Sequence, residues 1–232
     1  MVNTIKDLNL FINQFYSVKR LNCLEVYSGP FDFDIHKAYD FCSIIESNNI
    51  DTIIETGTNH GDTSEFLAKR YPNKKIITCE IEKSIYEIAK LRLKKYKNVN
   101  VFLTSSEFIV RDVNQLKHNI IYYLDAHFDD YWPLRDELHE IKRGFVMIDD
   151  FNIGCSNYRH GGEEQKMITK EKLKCDKNLV NLYAETNDLY INNVLCEYPI
   201  PNHQLYKNSG RCFYQKQFNS NVFKNKNFRK LY

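Results

Sequence analysis

At 232 residues, with 43% hydrophobic and 27% charged side chains, the chain can bury a core as one domain and is too apolar to be disordered. Its 32 basic and 30 acidic groups leave a formal net charge of +2, so no nucleic-acid partner is expected, and no run approaches the roughly 20 apolar residues of a membrane span. Seven scattered cysteines (Cys23, Cys42, Cys79, Cys155, Cys175, Cys196, Cys212) without a C-x-x-C pair exclude a disulfide framework or zinc site; with an N-terminus lacking a signal peptide's apolar core, they suggest a cytoplasmic protein.

Residues 36 to 48 (HKAYDFCSIIESN) carry apolar groups at helical spacing, ended by Asn49 and Asp51. DTIIETGTNHGDTSEFLAKRYP then reads as a short strand, a glycine-containing turn, and a helix opened by Asp62 or Thr63 and closed before Pro72. IITCE, VNVFLTS, IIYYLDAH and GFVMIDDF follow as strands, separated by helices in EKSIYEIAKLRLKKY, SEFIVRDVNQL and PLRDELHEIKR. Beyond residue 152 the pattern weakens into an active-site loop, a helix near KMITKEKLKC, and two closing strands in NNVLCEYPI and GRCFYQK. Alternating β and α segments with continuous apolar strands predict an α/β, Rossmann-like, doubly wound sheet, mostly parallel, with helices on both faces.

In such sheets ligands bind beyond the carboxyl ends of the strands. The first strand ends in Glu55-Thr56-Gly57-Thr58-Asn59-His60-Gly61: Gly57 permits a tight turn close to a ligand, and Gly61 lets the next helix pack nearby. Glu80 closes the second strand, where an acid can accept from ribose hydroxyls. The G-x-x-x-G spacing lacks a dinucleotide's pyrophosphate cradle, whereas Glu55 near the turn suits a cationic amino-acid ligand such as S-adenosylmethionine. A nicotinamide oxidoreductase is correspondingly disfavoured.

The chain here resembles the class I S-adenosylmethionine-dependent methyltransferases, through ETGTNHG, Glu80 and TSSE (Thr104 to Glu107), over residues 49 to 154. That resemblance implies a seven-stranded sheet with an antiparallel last strand, matched by GRCFYQK. It implies cofactor contacts from Glu55, Thr56, Gly57, Thr58, Gly61, Asp62, Thr63, Glu80, Ile81, Ser105, Ser106 and Asp125. A single domain is expected, with an N-terminal helical lid or packing segment (1–35) able to serve a homo-oligomeric contact. A cofactor-binding core (36–154), an acceptor-side loop and helix (155–190), and closing strands with a tail (191–232) follow.

The fourth strand ends in Leu124-Asp125-Ala126-His127 and the fifth in Ile148-Asp149-Asp150-Phe151. Neighbouring strand tips lie about 4.8 Å apart, so these carboxylates can share a hard ion such as Mg²⁺ or Mn²⁺. Asp149 and Asp150 reach one ion only if the strand ends or bends there, because successive strand residues point to opposite faces. The pattern resembles the metal-dependent sugar O-methyltransferases of the macrocin and aminocoumarin type. Carried over, Asp125, Asp149 and Asp150 become metal ligands, with Asp125 and His127 catalytic and His127 in the place of a general base. The chain departs from that group by its shortness and by His rather than Asp at 127. The function implied is S-adenosylmethionine-dependent, Mg²⁺-assisted O-methylation of a sugar hydroxyl on a glycan or glycosylated small molecule. A catechol-type O-methyltransferase and a non-catalytic binding module are the rivals; the Asn/Asp-Pro-Pro-aromatic turn of N-methyltransferases is absent. Tyr131-Trp132-Pro133 offers a packing anchor or a sugar platform, and Arg159-His160-Gly161-Gly162 a loop on the acceptor side.

Overall fold

Five apolar segments form the parallel half of one sheet: β1 (Thr52–Thr56), β2 (Lys75–Glu80), β3 (Val99–Leu103), β4 (Ile120–Leu124) and β5 (Gly144–Ile148). The computed structural model describes residues 5–19, 29–115, 119–127, 132–158, 175–186, 188–201 and 208–232. Arg159 to Gly162, Tyr131, Cys23 and most of KMITKEKLKC lie outside them. Three further strands, β6 (Tyr190–Asn192), β7 (Cys212–Lys216) and β8 (Phe228–Lys230), complete the order β3-β2-β1-β4-β5-β7-β6-β8.

The sheet has eight strands, correcting the expectation of seven, because the tail adds β8 to β6. The antiparallel strand from GRCFYQK is β7, which inserts between β5 and β6 rather than closing the edge. NNVLCEYPI was expected to be a strand, but only Asn192 belongs to one. The Asn193 side chain accepts from Leu195 N at 3.2 Å, a local turn that competes with the ladder, and Leu195 is 88% exposed.

Alternate residues along each strand feed two apolar layers, so Tyr122 faces one and Tyr123 the other. One layer is covered by α1 (Leu8–Tyr16), α2 (Ile35–Ser47) and α3 (Asp62–Arg70); α1 buries Phe11 and Phe15 there. The other is covered by α5 (Ser106–Val113), α6 (Leu134–Glu140) and α7 (Lys177–Ala184), while α4 (Lys83–Leu93) lies along β2 and β3. Asp7, Asp34 and Asp176 cap α1, α2 and α7 through their carboxylates, satisfying backbone N–H groups that a helix start leaves free. The chain runs outward from β1 to β3, then returns to place β4 on the other side of β1. That reversal puts the switch point between the tips of β1 and β4. Among the described residues no helix is long and apolar enough to cross a membrane, and the six described cysteines are free thiols.

Candidate active site

Gly57 leaves β1 at φ +80, and a Cβ there would lie 3.0 Å from the Asp125 carbonyl oxygen and 3.1 Å from Ala126 Cα. Only glycine lets the β1 and β4 tips approach this closely. Gly61, at φ +83, opens α3 against Leu93 and Ala89 of α4. Around this turn Thr58 and Thr78 share a hydroxyl–hydroxyl bond of 2.6 Å, and Thr56 Oγ1 accepts from Asp125 N. Glu80 ends β2 with Oε1 accepting from Ile81 N and Glu82 N, and Oε2 from Asn59 N at 3.0 Å. Oε2 keeps a lone pair for a hydroxyl donor, and Ile81 beside it is 47% exposed.

Other sequence-predicted residues face inward. Glu55 is buried, accepting from Ser64 and Thr78, and ties α3 to β1 and β2. Burial pushes its carboxyl up to about 7 against the pull of those hydroxyls. Asp62 pairs with Arg92 at 2.8 Å, Thr63 Oγ1 accepts from Phe31 N, and Ser105 donates to Glu107. Ser106 is buried at the start of α5.

The acidic tips converge in a different combination from the one the sequence implied. Carboxylate oxygens of Asp32, Asp125 and Asp149 lie within 4.8 Å of one another. Asp150, which follows the end of β5 at φ +49, is not one of the three. Asp32 arrives on a tight turn (Pro30–Phe33) in which Phe31, Asp32 and Phe33 all occupy the left-handed region. Each such non-glycine residue costs roughly 1–2 kcal/mol. Phe31 holds the turn down by packing 4.9 Å from the Tyr123 ring and 6.1 Å from Phe66.

The cluster contains its own cation. Lys37 of α2, with its side chain 1% exposed, sets Nζ 3.0 Å from Asp32 Oδ2 and in direct contact with Asp149 Oδ2. Burial alone would lower this ammonium's pKa, but the Asp149 and Asp32 charges override it and raise it. Asp149 also accepts from Ser209 at its other oxygen, and the Tyr123 hydroxyl lies 3.0 Å from both Asp125 and Asp149. Burial, aided by the Asp149 and Asp32 charges and opposed by Lys37, lifts the Asp125 carboxyl well above the usual range. These residues do not fit a divalent ion. Asp149 has both oxygens engaged, and a dication about 4 Å from the ammonium meets roughly 4 kcal/mol of repulsion per unit of its charge.

The network continues away from the tips. Arg211, immediately before β7, is 1% exposed, with Nη1 3.2 Å from Asp34 and Nη2 2.9 Å from Asp40. Tyr198 donates to Asp40 at 2.7 Å. Sequence reading missed Lys37, Asp32, Tyr123, Ser209 and Arg211. The usable signal was α2 itself, an apolar stretch carrying Lys37 and Asp40 at i and i+3, one helix turn apart.

On the rim, His127 Nε2 lies 3.8 Å from Asp150 Oδ2, and its ring is 6.2 Å from the half-buried Trp132. Glu137 of α6 is fully buried, with neither carboxylate oxygen in a good hydrogen bond. Burial pushes it up to about 7, opposed by the nearby Ser106 and Thr56 hydroxyls. Between its ordinary value of 4.5 and about 7 the unfolded chain releases this proton while the folded chain retains it. Stability is therefore full below that window and falls as pH rises through it, by up to about 3 kcal/mol from this group. Glu137→Gln removes the dependence, so urea melts should find the variant gaining on the wild type from pH 5 to 8. A constant difference across that range would mean that Glu137 is ionised in the fold.

No family model matches the chain. A 79-residue stretch, 34% of the chain, is 33% identical to Ribosomal RNA small subunit methyltransferase A of Caldanaerobacter subterraneus; the match spans 25% of that protein's length. A candidate O-methyltransferase from Klebsiella pneumoniae superposes with a TM-score of 0.51 at 11% identity, over 90% of this chain and 89% of that one. The O-methyltransferase TomG from Streptomyces achromogenes, involved in tomaymycin synthesis and solved with S-adenosylmethionine, gives 0.50 at 16% identity, over 78% and 79%. The chain therefore has the Rossmann-like α/β methyltransferase fold, with a mostly parallel eight-stranded sheet.

Proposed function

We propose that this chain binds S-adenosylmethionine beyond the tips of β1 and β2 and transfers its methyl group to a hydroxyl oxygen, on a sugar of a glycan or of a glycosylated small molecule in the cytoplasm. The observation that carries the reading is the switch point. Gly57 lets the turn after β1 lie directly against the main chain of Asp125 and Ala126, and Glu80 stands at the end of β2 with acceptor capacity left on Oε2. Bound there, the cofactor supplies an electrophilic methyl carbon on a sulfonium.

The chain's own residues supply the acceptor side. A sugar hydroxyl is a weak nucleophile at neutral pH and must lose its proton as the new O–C bond forms. His127, half exposed on the rim, is placed to accept that proton, and Asp150 behind it orients the ring and stabilises the resulting imidazolium. Trp132 beside His127 offers a wall for the sugar. Alignment of oxygen, methyl carbon and sulfur contributes much of the remaining acceleration.

A second reading, methylation of RNA, draws on the 79-residue likeness to a ribosomal RNA methyltransferase. The near-neutral charge balance weighs against it.

Calorimetry should find binding of S-adenosylmethionine and none of NAD. Methyl transfer from labelled cofactor should then appear on a glycan panel and not on total RNA. His127→Ala should lower kcat by about 10²–10⁴ with the cofactor's Kd unchanged. Label on RNA alone would select the second reading, and absence of cofactor binding would end both.

A further inference from the structure

We propose that Lys37 is the resident cation of the Asp32–Asp125–Asp149 cluster, and that the site works with this ammonium in the place where a divalent metal would sit. Three observations carry it. Nζ bridges Asp32 and Asp149, so two of the three converging carboxylates are already compensated. Asp149 takes Lys37 and Tyr123 at Oδ2 and Ser209 at Oδ1, so a metal bound through Oδ2, the oxygen facing the ammonium, would have to displace a partner. The ammonium is also built in: the Asp34 cap fixes the first turn of α2 through His36 N and Lys37 N, and the side chain is enclosed on all sides.

The strained Pro30–Phe33 turn then has a use. It brings Asp32 to the outer side of the ammonium, holding Lys37 between a β5 tip and a loop carboxylate. A lysine fixed in this way is a permanent positive charge next to the switch point, independent of metal supply. Resting on the methyl-transfer reading, this leaves deprotonation of the acceptor to His127 and Asp150, without a Lewis acid.

The test is Mn²⁺ titration of the EDTA-stripped full chain, read by the electron paramagnetic resonance signal of free Mn²⁺. The wild type should hold no stoichiometric Mn²⁺ up to about 1 mM. Lys37→Ala, checked for folding by circular dichroism, should gain one site about a hundredfold tighter or more, because the repelling charge is gone and the carboxylates remain. Lys37→Arg should gain none, and Lys37→Ala with Asp149→Asn should lose the gained site. One Mn²⁺ bound per wild-type chain and released by Asp149→Asn overturns the proposal, whether or not the Lys37 variants fold. A folded Lys37→Ala that binds no Mn²⁺ overturns it as well. Calorimetry with S-adenosylmethionine on the same wild-type sample keeps the outcomes apart. Cofactor binding together with Asp149-dependent Mn²⁺ binding removes this inference alone, whereas no cofactor binding removes the methyl-transfer reading whatever the metal does.

Discussion

Arg211→Met is expected to lower the unfolding free energy by about 3–5 kcal/mol, the usual cost of taking one partner from a buried ion cluster. The guanidinium serves two fully buried carboxylates, at 3.2 Å from Asp34 and 2.9 Å from Asp40. Methionine fills part of the volume but leaves both acids facing an apolar side chain. Asp34 is also the N-cap of α2, so the loss loosens the first turn of the helix that carries Lys37. Burial already pushes Asp40 up to about 6 despite the pull of Arg211. Without that pull the folded state holds the proton to higher pH, so the penalty should be smaller at pH 5 than at pH 8. For a chain of this size each kcal/mol moves Tm by about 2–4 °C, so a fall of roughly 6–20 °C is expected. Thermal and urea melts at both pH values check it. Arg211→Lys, which keeps the charge but loses the fork, should fall between the two. A loss under about 1 kcal/mol for Arg211→Met would mean that water reaches these acids and the network is not closed.

The legible and illegible parts of this molecule divide along a physical line. Periodicity and turn chemistry located β1 to β5 and their helices because each signal is local: an apolar run, a glycine, a cap. The same locality exposed Gly57, Glu80 and Asp125 as strand-tip residues. Two short strands escaped for the opposite reason. β6 and β8 have three residues each and are defined only by the partner they find across the sheet. The acidic cluster shows the limit most clearly. Asp125 and Asp149 were readable as neighbouring tips, whereas the left-handed bend at Asp150 that follows the strand was not. Asp32 and Lys37 were not readable, since nothing in GPFDFDIHK says that three left-handed residues fold the chain back over the sheet edge. A buried lysine is invisible to any rule that places charged residues on a surface. Long-range compensation between a helix start and a strand tip 112 positions away belongs to the tertiary structure alone.

Gly57→Ala is expected to weaken S-adenosylmethionine binding by about 100-fold, the equivalent of about 3 kcal/mol. The backbone at this position has φ +80, a conformation that costs an L-residue roughly 1–2 kcal/mol by itself. The new methyl also meets atoms that cannot step aside. Its three nearest neighbours, at 3.0, 3.1 and 3.3 Å, are main-chain atoms of Asp125 and Ala126, and parallel pairing of β1 with β4 fixes that backbone. Relief requires β1 and β4 to part at the tips, which moves the floor on which the cofactor is proposed to lie. Two other glycines with positive φ separate the contributions. Gly154, at φ +72, has nothing within 4 Å, so Gly154→Ala carries the conformational cost alone. Gly61, at φ +83, faces the end of the Leu93 side chain at 3.1 Å, which can rotate away, so Gly61→Ala should cost affinity by less than about tenfold. Calorimetry on the three variants, each checked by urea melts, should therefore rank Gly57 far above Gly61 and Gly61 above Gly154 in affinity lost. The ranking in stability should be flatter, because strain is common to all three and the backbone collision is particular to Gly57. Equal affinity across the set would place the cofactor elsewhere and withdraw the switch point from the mechanism.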